Sequence, residues 1–226
     1  MAGRLIFLTM TALPEREAAT SDAPNRVCSN RRRMAAATAP YDVIPVDDIW
    51  FAEFAAAGWL EDVTAQIPPE MKADSDKSSW DVVTVDGKAY GLPWLVDQLY
   101  FYYNADMLKK AGIAAPPTTW EEMMDQAKIL KEKGIVDFPA VFSWAQIEAS
   151  VCNFVTFLYG NDGAFFDDAG KPVFNSPAAV AMLSWWRDAL KSGLVNPAST
   201  TYAEEDLRNT MSAGKAAFTI NWAYML

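Results

Sequence analysis

Residues 90–108 read YGLPWLVDQLYFYYNADML, and this stretch carries much of the information about the fold. Leu99–Tyr103 is typical of an aromatic strand, and Asp106–Ala111 predicts a short helix that ends at Gly112. Asp97 lies among aromatic and aliphatic residues, where an unpaired carboxylate would be costly. Asp97 is therefore expected to have a partner, which is either a visiting ligand or a Lys or Arg in a hinge salt bridge.

The residues before this stretch predict a strand, a helix and a hairpin. Asp42–Val46 belongs to the apolar run YDVIPV and is typical of a strand, while Phe51–Leu60 predicts a helix that stops at Gly58. Asp86 and Gly87 stand between Val-Thr-Val and Lys-Ala-Tyr, which is a strong signal for a two-residue hairpin turn.

Helices dominate the sequence after Gly112. The pattern predicts helices that begin at Thr119, at Ile147, at Pro177 and after a capping box at Thr201–Glu204, with strands at Phe138–Phe142 and Lys215–Asn221. The third of these helices runs to Lys191, and its inner face is expected to carry Val180, Leu183, Trp186 and Leu190. Strands interleaved with helices indicate an α/β fold.

Composition excludes several classes of function. The 226 residues carry a formal net charge of −10 and include no histidine. The negative charge argues against nucleic acid as a partner, because phosphate backbones attract basic surfaces. The lack of histidine excludes Ser-His-Asp and Cys-His catalysis and zinc sites built on histidine. No apolar run reaches the roughly 18 residues of a membrane span.

Residues 1–40 differ from the rest of the chain. They hold six arginines and three acids, and residues 14–40 show no helix or strand period, so we expect a disordered leader. Leu5–Leu13 resembles the apolar core of a short signal peptide, but Pro14 and Glu15 follow at once and no clean cleavage site is present. An export signal is therefore not evident.

Two acids stand near tryptophans, and one of them, Asp47, follows a predicted strand. Asp47 follows the first predicted strand and precedes Trp50, and Asp97 lies three residues after Trp94. Acids at the carboxyl ends of strands in α/β sheets face the crevice where ligands bind. A carboxylate accepts two hydroxyl hydrogen bonds, and an indole face packs on the apolar face of a sugar ring. The combination predicts a site for neutral polyols, while the alternative is that Asp47 or Asp48 only caps the following helix.

Three further candidates have structural alternatives. Trp222 and Trp144 each follow a predicted strand, and core packing would explain both. Glu148 begins a helix, where an acid favours the helix dipole in any case. The acids of residues 161–168 miss the spacing of a calcium loop, and no glycine loop for phosphate is present. Neither a metal nor a cofactor is expected.

Five segments, taken in order along the chain, resemble family 1 extracellular solute-binding proteins, the sugar receptors of bacterial ABC importers. The segments are YDVIPVDDIWFAEFAAAGWL, GKAYGLPWLVDQLYFYYNADMLKKAGI, PPTTWEEM, GAFFDDAGKPVFNSPAAVAML and GKAAFTINWAY. The resemblance runs from about Tyr41 to Tyr224 and does not include residues 1–40.

The resemblance implies a periplasmic-binding-protein-like fold of type II, in which two α/β lobes close on a sugar. It also implies a fragment that is truncated at both ends. The expected parts are a non-family basic leader over 1–40, part of the first lobe over 41–98, and the second lobe with a hinge-crossing strand over 99–226.

The matching motifs assign roles to particular residues. Asp47 corresponds to the cleft acid of a D-x-x-W segment that ends at Trp50, and Asp97 to the acid after the Pro-Trp pair that contains Trp94. Trp222 corresponds to the stacking tryptophan of an Asn-Trp pair. The resemblance thus makes the partner of Asp97 the hydroxyls of a sugar.

One position departs from the family pattern. Glu148 falls where the family often has a Tyr-Glu-Gly stretch, but Ile147 and Ala149 replace the tyrosine and the glycine. This departure puts a ligand role for Glu148 in doubt.

The sequence therefore predicts a binding protein rather than an enzyme. It would bind a mono- or oligosaccharide in the interlobe cleft and deliver it to the permease of an ABC transporter, as a monomer that meets the membrane only through that permease. The resemblance implies a periplasmic or extracellular location. Two alternatives are a glycoside hydrolase that uses Asp47 and Asp97 as acid and base, and a truncated fragment that binds nothing.

Overall fold

The computed structural model describes residues 4–8, as backbone only, and residues 42–225, with the side chain of Val96 left out. These residues form two compact units that divide between Gln98 and Leu99. Every helix within these ranges is too short or too polar to cross a membrane.

The first unit is built on a three-stranded sheet with the strand order β2-β1-β5. Its elements are β1 (Arg4–Leu8), β2 (Pro45–Asp47), α1 (Asp48–Ala56), α2 (Pro69–Ala73), α3 (Lys77–Val82), β3 (Thr84–Val85), β4 (Lys88–Ala89) and β5 (Leu92–Asp97). Both β2 and β5 run antiparallel to β1. They consequently run in the same direction, and their carboxyl ends lie at the same edge of the sheet.

The hairpin predicted at Asp86 and Gly87 is confirmed. Strands β3 and β4 pair antiparallel, and the two turn residues have φ angles of 51° and 76°. Positive φ at both central positions is what a type I′ turn requires, and the Asp-Gly pair tolerates it.

The core of the first unit lies between α1 and the hairpin region. It consists of Ile44, Val46, Phe51, Phe54, Leu60 and Val83, with Trp50 and Trp80 partly buried against it. Helix α1 begins at Asp48, three residues earlier than the sequence predicts, and ends before Gly58. The early start places Trp50 inside the helix.

The second unit contains the antiparallel pair β6–β7 and a set of packed helices. Its elements are β6 (Leu99–Tyr103), α4 (Ala105–Ala111), α5 (Trp120–Glu132), α6 (Glu148–Tyr159), α7 (Pro177–Lys191), α8 (Glu204–Ser212) and β7 (Phe218–Trp222). Trp120 stacks on Phe157 at a centroid distance of 4.0 Å, and Met123, Leu130 and Phe218 are fully buried beside them.

Most helix boundaries of the second unit are confirmed. Helix α4 ends at Gly112, whose φ of 73° is left-handed. The hydroxyl of Thr119 accepts a hydrogen bond from the backbone N–H of Glu122 at the start of α5. The hydroxyl of Ser176 accepts one from the N–H of Ala179 at the start of α7, and Pro177 takes the first helical position.

The strand predicted at Phe138–Phe142 is wrong. The segment has no regular strand, and only Ala140 forms isolated bridges, to Val195 and to Phe218. Pro139 has no backbone N–H and cannot donate to a ladder, which limits how far pairing extends. Its carbonyl oxygen nevertheless accepts from the N–H of Phe218 at 2.9 Å.

The predicted inner face of α7 is also wrong in part. Val180 and Leu183 are 59% and 49% exposed, and the buried positions are Ala179, Met182 and Ala189. Apolar residues occupy two neighbouring stripes of this helix, so the periodicity does not decide between them. The small alanines allow the closer approach to the core.

The capping box predicted at Thr201–Glu204 is wrong as well. Helix α8 has Ala203 at its N-cap, and the carboxylate of Asp206 accepts a hydrogen bond of 2.9 Å from the N–H of Ala203. Asp206 therefore reaches back over the helix start, and Glu204 is the first helical residue.

The predicted disordered leader is described only at residues 4–8. These residues form β1 rather than a disordered segment. Residues 1–3 and 9–40 of the leader lie outside the described residues, and there the leader stays a prediction.

Candidate functional site

Asp47 and Asp97 are the last residues of β2 and β5, and so they lie at the same edge of the first unit's sheet. In the strand register Asp47 stands opposite Ile6 and Asp97 opposite Arg4 of the central strand β1. The structure thus brings to one edge two acids that are 50 residues apart in the sequence.

The capping role considered for Asp47 is not observed. Asp47 occupies the N-cap position of α1 with an extended backbone, but its side chain makes no capping hydrogen bond. Asp97 makes one local bond, in which its Oδ1 accepts from the backbone N–H of Gln98 at 2.8 Å. Both side chains are half-buried.

Trp94 lies in a pocket whose lining does not include Asp97. In the pairing of β5 with β1, Trp94 is the extra residue of a bulge between Pro93 and Leu95. It is 57% exposed and helps to form a surface pocket of about 320 Å³. The pocket is lined by Met71, Asp74, Ser75, Trp80, Leu92, Pro93 and Trp94.

Trp50 and Trp144 are part of the packing of their own units. Trp50 lies against the core of the first unit. Trp144 stacks on Phe142 at 4.8 Å and on Trp186 at 4.5 Å, with interplanar angles of 7° and 17°. The ring surfaces engaged in these stacks are not available to a sugar.

Glu148 is the first residue of α6 and is half-buried. An acid at this position interacts favourably with the positive end of the helix dipole, as the structural alternative predicts.

Trp222 is the last residue of β7 rather than the residue after it, and it is only 2% exposed. Its carbonyl oxygen accepts a hydrogen bond of 2.8 Å from the hydroxyl of Tyr102. Its indole Nε1 donates to Oε1 of Glu204 over 3.4 Å. Stacking of a sugar on this ring therefore requires that one face of the indole be uncovered.

Sequence reasoning missed the groups that surround Trp222. The segment TYAEED at residues 201–206 reads as an ordinary acidic first turn, and no local pattern indicates that Glu204 reaches a tryptophan 18 residues later. Near Trp222, burial is the main cause that raises the pKa of Tyr224 well above its ordinary value. The hydrogen bond and the charge of Glu205 raise this pKa further.

Comparison with known proteins gives a family match. The model of the family described as "Bacterial extracellular solute-binding protein" matches residues 22–225. A "Probable ABC transporter-binding protein" of Deinococcus radiodurans is 32% identical over 206 residues, which cover 88% of this chain and 48% of that protein.

Solved structures with the same fold include maltose-bound MalE3 of T. maritima. The identity is 34% and the TM-score 0.82, with 88% of this chain and 51% of that chain covered. A solute-binding protein of an ABC transporter from Thermotoga lettingae, bound to α-D-tagatose, is 30% identical with a TM-score of 0.71. It matches 78% of this chain over 46% of its own length.

These relatives fix the fold class predicted from the sequence as the type II periplasmic-binding-protein fold. The chain spans about half the length of the relatives that it matches. Since the family match extends over residues 22–225, this chain belongs to the bacterial extracellular solute-binding proteins.

Proposed function

We propose that the chain binds a mono- or oligosaccharide and that the protein delivers this sugar to the permease of an ABC transporter. The observation that carries the proposal is the similarity, at 34% identity and a TM-score of 0.82, to a structure bound to maltose. The second relative, at 30% identity, is bound to α-D-tagatose. Both ligands are neutral and rich in hydroxyl groups, as expected for a site of carboxylates and indoles.

In this proposal Asp47 and Asp97 supply acceptors for the hydroxyl groups of the sugar. Both lie at the carboxyl edge of the first unit's sheet, the end of the strands at which ligands bind in open α/β sheets. Trp222 supplies an aromatic surface from the second unit. The expectation that the sugar lies in a cleft between two lobes comes from the family resemblance.

The remaining candidates have lesser roles in the proposal. Trp94 would contact a sugar that extends into the pocket beside Trp80. Trp50 and Trp144 shape the units by packing, and Glu148 is a secondary contact.

Calorimetric titration of the 226-residue chain with maltose, trehalose and α-D-tagatose tests the proposal. We expect a saturable heat with at least one of these sugars, which Asp97→Ala abolishes. Asp81→Ala is the matched control, because Asp81 is an exposed acid of α3 that pairs with Lys77. Absence of binding to every sugar at millimolar concentration would show that this chain alone is not a receptor.

A glycoside hydrolase would also present two carboxylates in an aromatic site. A binding protein releases no new reducing ends from a disaccharide, whereas a hydrolase does. Incubation with maltose and trehalose, followed by a reducing-sugar assay, separates the two functions. Release that disappears in Asp47→Asn or Asp97→Asn would overturn the assignment as a binding protein.

We further propose that the protein acts in the periplasm or outside the cell, as a monomer that meets the membrane only through the permease. The extracellular family supports this location. Fractionation of the source cells should place the protein outside the cytoplasm. Size-exclusion chromatography should give the mass of one 25.0 kDa chain.

A further inference from the structure

The edge of the Trp222 indole has a defined acceptor in the second unit. Trp222 is 2% exposed, and a buried indole N–H normally requires a hydrogen-bond partner. Its Nε1 donates to Oε1 of Glu204 at 3.4 Å. A carboxylate that accepts this long bond restrains the rotation of the ring about its side-chain torsions.

The start of helix α8 is capped by Asp206, two residues after Glu204. Ala203 at the N-cap of α8 has no side-chain acceptor, and Asp206 takes the hydrogen bond from the N–H of Ala203 instead. As the first helical residue, Glu204 lies where the helix dipole favours a negative charge.

A second bond fixes the distance between this helix start and the end of β7. The side-chain Nδ2 of Asn221 donates to the carbonyl oxygen of Glu204 at 3.0 Å, and Oδ1 of Asn221 accepts from the N–H of Trp222 at 2.9 Å. Asn221 is 1% exposed, so this bridge is shielded from water. The backbone of Glu204 is thereby tied to the backbone of Trp222 through one side chain.

We propose that Glu204 is a positioning residue for sugar binding, and that it acts by holding the indole of Trp222 in one orientation. The inference rests on the proposed function, in which Trp222 stacks on the sugar. A ring that is anchored at its edge keeps its plane when one face is uncovered for the ligand. Without the anchor, the ring would have to be ordered at the moment of binding, which costs affinity.

The test compares Glu204→Gln with Glu204→Leu. Glutamine keeps an oxygen acceptor at the same place, and leucine removes it. We expect Glu204→Leu to weaken sugar binding about tenfold and Glu204→Gln by about threefold or less, since a charged acceptor is stronger than a neutral one. Asp188→Asn is the control, because Asp188 is an exposed acid of α7 that pairs with Arg187, and its loss should leave the affinity unchanged.

Indole N–H resonances supply a readout that does not depend on sugar. In a ¹⁵N–¹H spectrum the signal of Trp222 is assigned by its loss in Trp222→Phe. We expect this signal to shift strongly in Glu204→Leu and less in Glu204→Gln, while the signals of the other eight of the nine tryptophans stay in place. Circular dichroism confirms that each variant is folded.

Two results would overturn the inference. One is a Trp222 indole signal that does not respond to Glu204→Leu. The other is unchanged sugar affinity in Glu204→Leu while Trp222→Ala loses binding. If Trp222→Ala binds sugar like the parent chain, the proposed stacking role of Trp222 fails. If the indole signal of Trp222 nevertheless responds to Glu204→Leu, the contact between Glu204 and the ring stands, and the error lies in the proposed function.

Discussion

The hydroxyl of Tyr102 donates a hydrogen bond of 2.8 Å to the carbonyl oxygen of Trp222, a residue 120 positions later in the sequence. Strands β6 and β7 pair antiparallel from Leu99 opposite Trp222 to Tyr103 opposite Phe218. The Tyr102 side chain thus reaches along this pair to its last residue. The bond fixes the backbone of Trp222 at the point where β7 ends.

Tyr102→Phe should lower the free energy of unfolding by about 1 kcal/mol, because it removes one partly buried neutral hydrogen bond. Tyr103→Phe is the control, since Tyr103 is the next residue and is 44% exposed. Urea unfolding followed by circular dichroism measures both. Equal stabilities for the two variants would show that the Tyr102 bond contributes nothing.

Leu130→Ala should destabilise the second unit by about 2–5 kcal/mol. Leu130 is 0% exposed in the core around Trp120 and Phe157, so its loss leaves a cavity. Ile129→Ala is the matched control, because Ile129 is the preceding residue of α5 and is 38% exposed. That control should change the stability by about 0.5 kcal/mol or less. A similar loss in both variants would contradict the placement of α5.

Glu122→Gln should reduce the dependence of thermal stability on acid pH. The backbone N–H and then the hydroxyl of Thr118, each at 2.7 Å from Oε2, lower the pKa of Glu122 below its ordinary value. A lowered pKa in the folded state contributes stability that is present above the unfolded pKa and is lost as pH falls through the folded pKa.

Between about pH 6 and pH 2.5, the melting temperature should therefore fall less steeply with decreasing pH for Glu122→Gln than for the parent chain. Glu121→Gln serves as the control, because it removes an exposed acid from the same helical turn and leaves both Thr118 bonds intact. Identical pH profiles for the parent chain and Glu122→Gln would refute the linkage.

Asp97→Asn should weaken sugar binding by a factor of about 10–100. The substitution can keep the hydrogen bond that the side chain accepts from the backbone N–H of Gln98. The amide of asparagine retains one oxygen that can accept from the Gln98 N–H, so the local turn is preserved. The lost charge-assisted bonds to sugar hydroxyls are worth about 1.5–3 kcal/mol each. Calorimetric titration beside a thermal melt measures affinity and stability together.

An unchanged affinity with a lowered melting temperature would assign Asp97 a structural role. That outcome fits the alternative of a salt bridge with a Lys or Arg, because loss of one partner leaves a buried charge unpaired. The register of β5 places Arg4 opposite Asp97 in the neighbouring strand.

Signals confined to a few consecutive residues were sufficient to predict many of the turns and helix ends of the fold. Asp86-Gly87 predicts a turn because its positive φ angles suit these two residues. Thr119 and Ser176 predict helix starts because a hydroxyl satisfies N–H groups that no helical carbonyl reaches. Gly112 predicts a helix end because it adopts the left-handed conformation without strain.

Other features depend on which distant residues approach. The face that α7 buries depends on the core against which it packs, and the sequence offers two apolar stripes. At Phe138–Phe142 the apolar run indicated a strand, but the partners at Val195 and Phe218 allow only isolated bridges. Trp144 stacks on Trp186 of α7, which is 42 residues away in the sequence, so this contact also depends on the tertiary structure.

The sequence by itself determined the α/β class, most of the local turns and caps, and the resemblance to sugar receptors, and it placed Asp47 beside the end of a strand. Only the tertiary structure decided that Asp47 and Asp97 share one sheet edge, and that Tyr102 and Glu204 hold Trp222. The physical reason is the range of the interactions. Backbone torsions and caps depend on neighbouring residues, whereas these contacts arise only after the strands pair and the helices pack.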